Sequence, residues 1–130
     1  MKITEIKTVA LTDKVLHEMA IAALRTDKYE DGTYNVSTLE SVEFDHGYQV
    51  TFCQVGDNYS DDDYEFLVAM FREASEDGEV YAGKFGGEPE ISFLFGNKAD
   101  AVKYAKMFNQ ISIWDWKAMD EIKTGGTGKR

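Results

Sequence analysis

A chain of 130 residues has the length of one compact domain and is long enough to bury an independent core. Hydrophobic residues make up 43% of it, with eight Phe, seven Tyr and two Trp, which excludes a disordered chain despite a formal charge of −10. A single cysteine excludes an internal disulfide, and one cysteine with two histidines falls short of a usual zinc site.

The charge is unevenly distributed along the chain. Residues 27–79 contain fifteen acidic and two basic residues, a formal charge of −13, so the other segments together carry +3. Such a region repels nucleic acid and anionic membranes and attracts a basic partner, although solubility alone is an alternative explanation. No apolar run resembles a signal peptide or a membrane span, and we therefore expect a soluble cytoplasmic protein.

The first third of the chain predicts a short lead-in, one helix and one strand. Residues 3–11 are typical of an edge strand or an irregular segment. A helix is expected from Thr12 or Asp13 to about Arg25, because apolar residues recur at helical spacing. Residues 33–36 predict a brief strand.

Residues 40–54 predict a β-hairpin. Val42 and Phe44 alternate on one arm, and residues 48, 50 and 52 alternate on the other. The turn between the arms would be Asp45-His46-Gly47, in which glycine permits a positive φ.

A polar turn at residues 56–60 leads into the most strongly predicted helix. Ser60 is a natural N-cap, and Asp61, Asp62 and Asp63 lie favourably at the positive end of the helix dipole. The apolar stripe of this helix, which runs towards Glu76, comprises Tyr64, Leu67, Val68, Phe71 and Ala74.

A second hairpin is predicted over residues 79–95, with its turn at residues 86–89. Asn97 then caps another helix, and residues 110–114 form a returning strand. Asp115 would cap a last short helix through Lys123, followed by a flexible, glycine-rich basic tail over residues 124–130.

These elements predict a single α+β domain over residues 1–123. Residues 48–114 follow the order β-α-β-β-α-β, which predicts a ferredoxin-like, split βαβ unit with an antiparallel sheet. The N-terminal helix and an extra hairpin strand would extend it. This architecture supports many functions and specifies none.

The patterns of a catalytic or metal site are missing. The acids at residues 57–65 lack the alternate spacing and central glycine of a calcium loop. On a straight hairpin arm His46 and Cys53 would lie more than about 20 Å apart, too far to form a catalytic dyad. His17 fits a structural role. We therefore predict no catalytic residue, metal or cofactor, although dispersed carboxylates leave a small enzyme or ligand-binding domain as an alternative.

Trp114 and Trp116 share one strand phase, opposite Ile111 and Ile113. If the isoleucines face the helices, the tryptophans lie on the open face of the sheet, where they would form a binding surface. The alternative is that the first or the last helix covers them.

Charge and aromatic residues together favour a non-enzymatic inhibitor that occupies a basic nucleic-acid-binding site on another protein by charge mimicry, without contacting nucleic acid itself. In size, charge and lack of motifs the chain resembles the anti-restriction and anti-CRISPR proteins of phages and mobile elements. A homodimer or other homo-oligomer is a further alternative. The predicted partner-binding residues are Asp57, Asp61, Asp62, Asp63, Glu65, Glu73, Glu76, Trp114 and Trp116.

Overall fold

A computed structural model of the chain describes residues 13–52 and 59–128. The segment predicted as a lead-in at residues 3–11 lies outside the described residues, as do Cys53 and Asp57. The two described ranges contain three helices, α1 (Asp13–Leu24), α2 (Asp61–Ala74) and α3 (Lys98–Met107). They also contain seven strands, β1 (Gly32–Asn35), β2 (Ser41–Val42), β3 (Tyr48–Thr51), β4 (Tyr81–Phe85), β5 (Glu88–Phe95), β6 (Ser112–Asp115) and β7 (Asp120–Lys123).

All seven strands form one sheet in the order β2-β1-β4-β5-β3-β6-β7. Every neighbouring pair is antiparallel, which confirms the predicted α+β domain with an antiparallel sheet. The sheet has more strands than the sequence predicted. Strands β3 and β4 run in the same direction with β5 between them, and β5 and β6 run in the same direction with β3 between them.

The hairpin predicted over residues 40–54 is wrong. β2 pairs with β1 at one edge of the sheet, whereas β3 pairs with β5 and β6. Residues 43–47 therefore pass across the sheet from β2 to β3, and we call this segment the crossover. Phe44 packs there with the rings of Tyr81 and Trp116, at centroid distances of 5.2 and 5.5 Å, so burial of Phe44 outweighs the local preference for a turn.

Helices α2 and α3 begin where their capping residues predict. The backbone amide of Asp63 donates to Ser60 Oγ (3.2 Å), and that of Asp100 donates to Asn97 Oδ1 (3.2 Å), which satisfies amides that have no partner within the helix. After the end of α1, the buried ammonium of Lys84 donates to the carbonyl oxygens of Thr26 (3.0 Å) and Tyr29 (2.8 Å). These bonds fix α1 against β4.

The hydrophobic core lies between the three helices and one face of the sheet, which we call the inner face. β3 contributes Val50 and Phe52 to it, and the ring of Phe52 packs 5.1 Å from Phe71 of α2 and 5.2 Å from Phe108 after α3. Because side chains alternate along a strand, the neighbouring residues Gln49 and Thr51 lie on the opposite, outer face.

The helix predicted after Asp115 is also wrong, because residues 120–123 form β7 and pair with β6. The Asp115 carboxylate accepts hydrogen bonds from the amides of Lys117 (3.1 Å) and Ala118 (3.2 Å). An aspartate makes the same kind of bond in a tight turn as at a helix start. Met119, at φ 52°, then directs the chain back along β6.

The start of the predicted tail contacts the segment that precedes β6. Thr124 is buried and its hydroxyl donates to the carbonyl of Gln110 (2.6 Å), while the amide of Gly128 donates to the carbonyl of Asn109 (2.8 Å). Residues 129 and 130 lie outside the described part. The flexibility expected for residues 124–130 stays a prediction.

Candidate functional site

The side of α2 that faces away from the sheet carries an exposed stripe of acidic and apolar residues. Asp62, Phe66, Ala69 and Glu73 follow one another at i, i+4, i+7 and i+11, so they share one side of the helix. All four are exposed, whereas the other side of the helix buries Tyr64, Val68 and Phe71. We call the exposed residues the α2 stripe. Phe66 is 69% exposed and lies between the two acids.

The three aspartates predicted as binding residues lie together in the first turn of α2. All three are exposed, and Asp61 lies 3.7 Å from the ammonium of Lys14 on α1. An ion pair this exposed contributes little to stability. The aspartates therefore interact favourably with the positive end of the helix dipole, and they give this end of the helix a strong negative charge.

Glu76 does not lie with these aspartates. Helix α2 has 14 residues and is roughly 21 Å long, so Glu76 follows its other end. There Glu76 Oε1 lies 3.4 Å from His46 Nε2, and Asp45 Oδ1 lies 2.6 Å from His46 Nδ1. The hydrogen bond to Asp45 and then that to Glu76 raise the pKa of His46 above its usual value. Glu76 thus connects the end of α2 to the crossover.

The two tryptophans lie on the outer face of the sheet, but only one of them is accessible. Trp116 is 7% exposed, and its indole nitrogen donates to Gln49 Oε1 (3.1 Å). Phe44 of the crossover packs against it, so the crossover covers it, and neither of the two helices named as alternatives does. Trp114 is half-buried and its ring lies 6.4 Å from the rings of both Trp116 and Phe85.

Beyond the crossover, the outer face is open and forms a groove of about 620 Å³. Its lining includes the acidic residues Glu88 and Glu90 of β5 and Asp120 and Glu121 of β7, and none of the described residues that line it is basic. We call it the outer groove. Its other lining residues are Gln49, Thr51, Phe85, Gln110, Ile111, Ser112, Ile113, Trp114 and Gly128.

Acidic residues outnumber basic ones in the described lining of the groove, and one of them, Glu121, has a basic neighbour. Glu121 accepts a hydrogen bond from Ser112 Oγ (3.1 Å) and lies 2.8 Å from the ammonium of Lys123, just outside the groove. Lys123 and Ser112 lower the pKa of Glu121. The positive charge of Lys123 thus lies at the β7 side, and Glu88 and Glu90 lie at the opposite wall.

His17 of α1 is buried against α2, outside both surfaces. A hydrogen bond of 2.8 Å joins its Nδ1 to the hydroxyl of Tyr64. Burial is the largest influence on its pKa and lowers it to about 4, because a buried imidazolium loses its hydration. A neutral, enclosed histidine of this kind connects two helices, as the sequence suggested for a structural role.

The sequence missed Phe66 and the walls of the outer groove. Phe66 had a local signal, since it lies off the buried stripe of α2 and at i+4 from Asp62. No local signal in the sequence identifies Phe85, Glu88 and Glu90 as groove residues. They come close to Trp114 only because β3 and β6 lie beside the β4–β5 hairpin in the sheet.

No protein-family model, no curated protein and no solved structure matches the chain. Over residues 13–52 and 59–128, no group of three or more His, Cys, Asp or Glu side chains is arranged to hold a metal ion. No helix in the described part of the chain has the length and apolar character to cross a bilayer.

Proposed function

We propose that this protein is a non-enzymatic binding protein that docks the α2 stripe onto a basic surface of another protein. The observation that supports the proposal most directly is Phe66, which is 69% exposed between Asp62 and Glu73. An exposed large aromatic side chain costs solubility and is typical of a binding residue when charged residues surround it.

The acidic and the apolar residues of the stripe act differently in binding. The carboxylates at Asp62 and Glu73 attract a basic partner over a distance and orient it, an effect that weakens as salt increases. Phe66 and Ala69 then supply the area that is removed from water at the centre of the contact. An exposed helix with an aromatic residue at its centre suits a groove on the partner.

We assign the partner to the class of nucleic-acid-binding proteins. Asp62 and Glu73 are separated by about 16 Å along the helix, with Asp61 and Asp63 beside the first of them. Rows of carboxylates can replace phosphates in a basic site, so the protein would compete with DNA or RNA for its partner. An inhibitor of phage or mobile-element origin, acting against restriction or CRISPR systems, fits this chemistry.

Affinity capture from the native host, followed by binding titrations at two salt concentrations, tests the proposal. We expect a basic partner whose affinity falls as salt increases and which nucleic acid displaces. Phe66→Ala should weaken binding by about 2 kcal/mol, roughly 30-fold, and Asp62→Asn with Glu73→Gln should weaken it further at low salt.

A double variant in the outer groove, Glu88→Gln with Glu90→Gln, removes the same charge from the other side of the sheet and serves as the matched control. Equal capture by wild type and the Phe66→Ala variant, with the fold intact, would show that α2 is not the binding surface.

A finer description of the fold belongs with this proposal. We infer that β3, β4, β5 and β6 with α2 and α3 form a ferredoxin-like unit. Its support is the pair of interleaved connections: β5 lies between β3 and β4, and β3 lies between β5 and β6. In each case a helix connects two strands of the same direction across an antiparallel neighbour, which is a split βαβ arrangement.

A further inference from the structure

We propose that the outer groove is a second binding site, which takes an arginine side chain presented by an extended peptide segment. The proposal goes beyond the function assigned to α2, because the groove lies on the outer face and α2 packs on the inner face. It combines a cavity of suitable size, an exposed aromatic ring at Phe85 beside the half-buried Trp114, and an excess of acidic over basic residues.

The size and openness of the groove fit a peptide. Its volume of about 620 Å³ lies within the range of roughly 300–1,000 Å³ that is usual for small-ligand pockets. The β4–β5 hairpin forms one side of it, and the segment of residues 110–114 together with β7 forms the other. A groove open between these two sides accepts an extended segment.

The charge of the lining selects a cation. Glu88, Glu90 and Glu121 bring acidic side chains to the outer face, and the nearby positive charge of Lys123 engages Glu121. A phosphate or a nucleic acid would therefore be repelled. Glu88 and Glu90 lie at alternate positions of β5, so both carboxylates project from the same side of that strand.

The aromatic residues select arginine among cations. Phe85 is 47% exposed, and its ring lies 6.4 Å from that of Trp114 at an interplanar angle of 38°. A guanidinium is planar and only weakly hydrated, so it stacks on an aromatic face while its edge donates hydrogen bonds to carboxylates. The exposed carboxylate of Glu88 can accept those bonds, and two parallel bonds to one carboxylate are the usual geometry for arginine.

The wall that carries Phe85 and Glu88 is held in position before any ligand arrives. The hairpin turns at Gly86 and Gly87, with φ of 60° and 81°, which is the conformation that a two-residue turn between antiparallel strands requires. The carboxylate of Asp31 accepts hydrogen bonds from both glycine amides, at 2.8 and 3.3 Å. Asp31 is therefore a positioning residue for this wall.

The test uses a blocked glycine-arginine-glycine peptide and its citrulline counterpart, which has nearly the same shape but no charge. Binding is followed by NMR through the amide signals of the full-length protein. We expect saturable shifts at Thr51, Ser112 and Trp114 with the arginine peptide and none with the citrulline peptide. Affinity should fall as salt increases.

Two variants locate the site. Glu88→Gln with Glu90→Gln should weaken binding of the arginine peptide at least about tenfold, since charge-assisted hydrogen bonds are lost. Phe85→Leu should weaken it a few-fold while keeping an apolar wall. The matched control, Asp62→Asn with Glu73→Gln on the α2 stripe, should bind the peptide as wild type does.

Three outcomes would overturn the proposal: equal binding of the citrulline peptide, unchanged affinity in the groove variant, or no shifts at millimolar peptide. A groove variant that loses the peptide yet still captures the α2 partner separates this site from the proposed function. Thermal melts of every variant establish that the fold is retained.

Discussion

Acidification should destabilise the protein through His17, and the size of the effect follows from its surroundings. His17 is 2% exposed, and its Nδ1 forms a 2.8 Å hydrogen bond with the hydroxyl of Tyr64 across the α1–α2 contact. Burial is the largest of three influences that together lower its pKa from 6.5 to about 4; Asp13 opposes the change and Arg72 adds to it. In the unfolded chain the imidazole regains its ordinary pKa.

The sign of the effect follows from proton binding. Well above pH 6.5 His17 is neutral in both states and has no influence on pH dependence. Between 6.5 and about 4 the unfolded chain binds a proton that the folded protein does not, so the free energy of unfolding falls as pH falls. The full difference in pKa corresponds to about 3 kcal/mol, of which about 2 kcal/mol is lost between pH 7 and pH 4.5.

Urea denaturation of wild type and of the His17→Gln variant, each at pH 7 and pH 4.5, measures this loss. Glutamine keeps a polar partner for Tyr64 and does not titrate. The many carboxylates of the chain titrate in both proteins, so their contribution cancels in the difference between the two. We expect wild type to lose about 2 kcal/mol more than the variant over this interval. Parallel losses in the two proteins would refute a buried, neutral His17.

Two further predictions concern the ends of the crossover and of the chain. Hydrogen bonds to Asp45 and then to Glu76 raise the pKa of His46. The stability that protonated His46 adds is therefore fully present below about pH 6.5 and disappears as pH rises through the folded-state pKa. His46→Ala should lower the melting temperature at about pH 5.5 and leave it unchanged at about pH 9. A Cβ at Gly126 would meet the backbone of Asn109 and Gln110. Gly126→Ala should therefore lower the melting temperature and remove the hydrogen-exchange protection of the Gly128 amide. Full protection of this amide in the variant would contradict the contact.

The parts of the fold that the sequence predicted are those in which a residue acts on its near neighbours. Ser60 and Asn97 each bond an amide three residues further on, so the start of a helix is encoded within four residues. Gly86 and Gly87 encode the β4–β5 turn in the same way. The apolar stripe of α2 matches the side chains that it buries, because one face of this helix meets the sheet.

The incorrect predictions concern which segments pair. Val42 and Phe44 alternate with the residues of β3 as two arms of a hairpin would, yet β1, β4 and β5 lie between β2 and β3. No local pattern of the sequence shows that other strands lie between β2 and β3 in the sheet. Asp115 illustrates the same limit, because its bonds to the next amides are compatible with a helix start and with a turn.

The candidate sites also divide into a part that the local sequence predicts and a part that depends on the fold. The acids of α2 could be predicted because a run of aspartates at a helix start is visible in sequence, but the separation of Glu76 from Asp61 required the length of the helix. The outer groove brings together β5, β3, β6 and β7, which come from distant parts of the chain. Its acids at Glu88 and Glu90 fall outside the −13 region that had indicated the charged surface.

The crossover determines which part of the outer face stays open. It is fixed by Phe44 against Tyr81 and Trp116, and by the carbonyl of Gly47, which accepts a hydrogen bond from the amide of Trp116 (3.0 Å). Gly47 has φ +98°, and a Cβ there would lie 2.8 Å from Leu94 Cδ1, so the segment reaches the sheet surface only because no side chain intervenes. Covering Trp116 leaves Trp114 at the edge of the remaining opening. The same chain segment that contradicts the predicted hairpin therefore covers the part of the outer face beside the groove, and the two proposed sites on opposite faces can be removed independently by mutation.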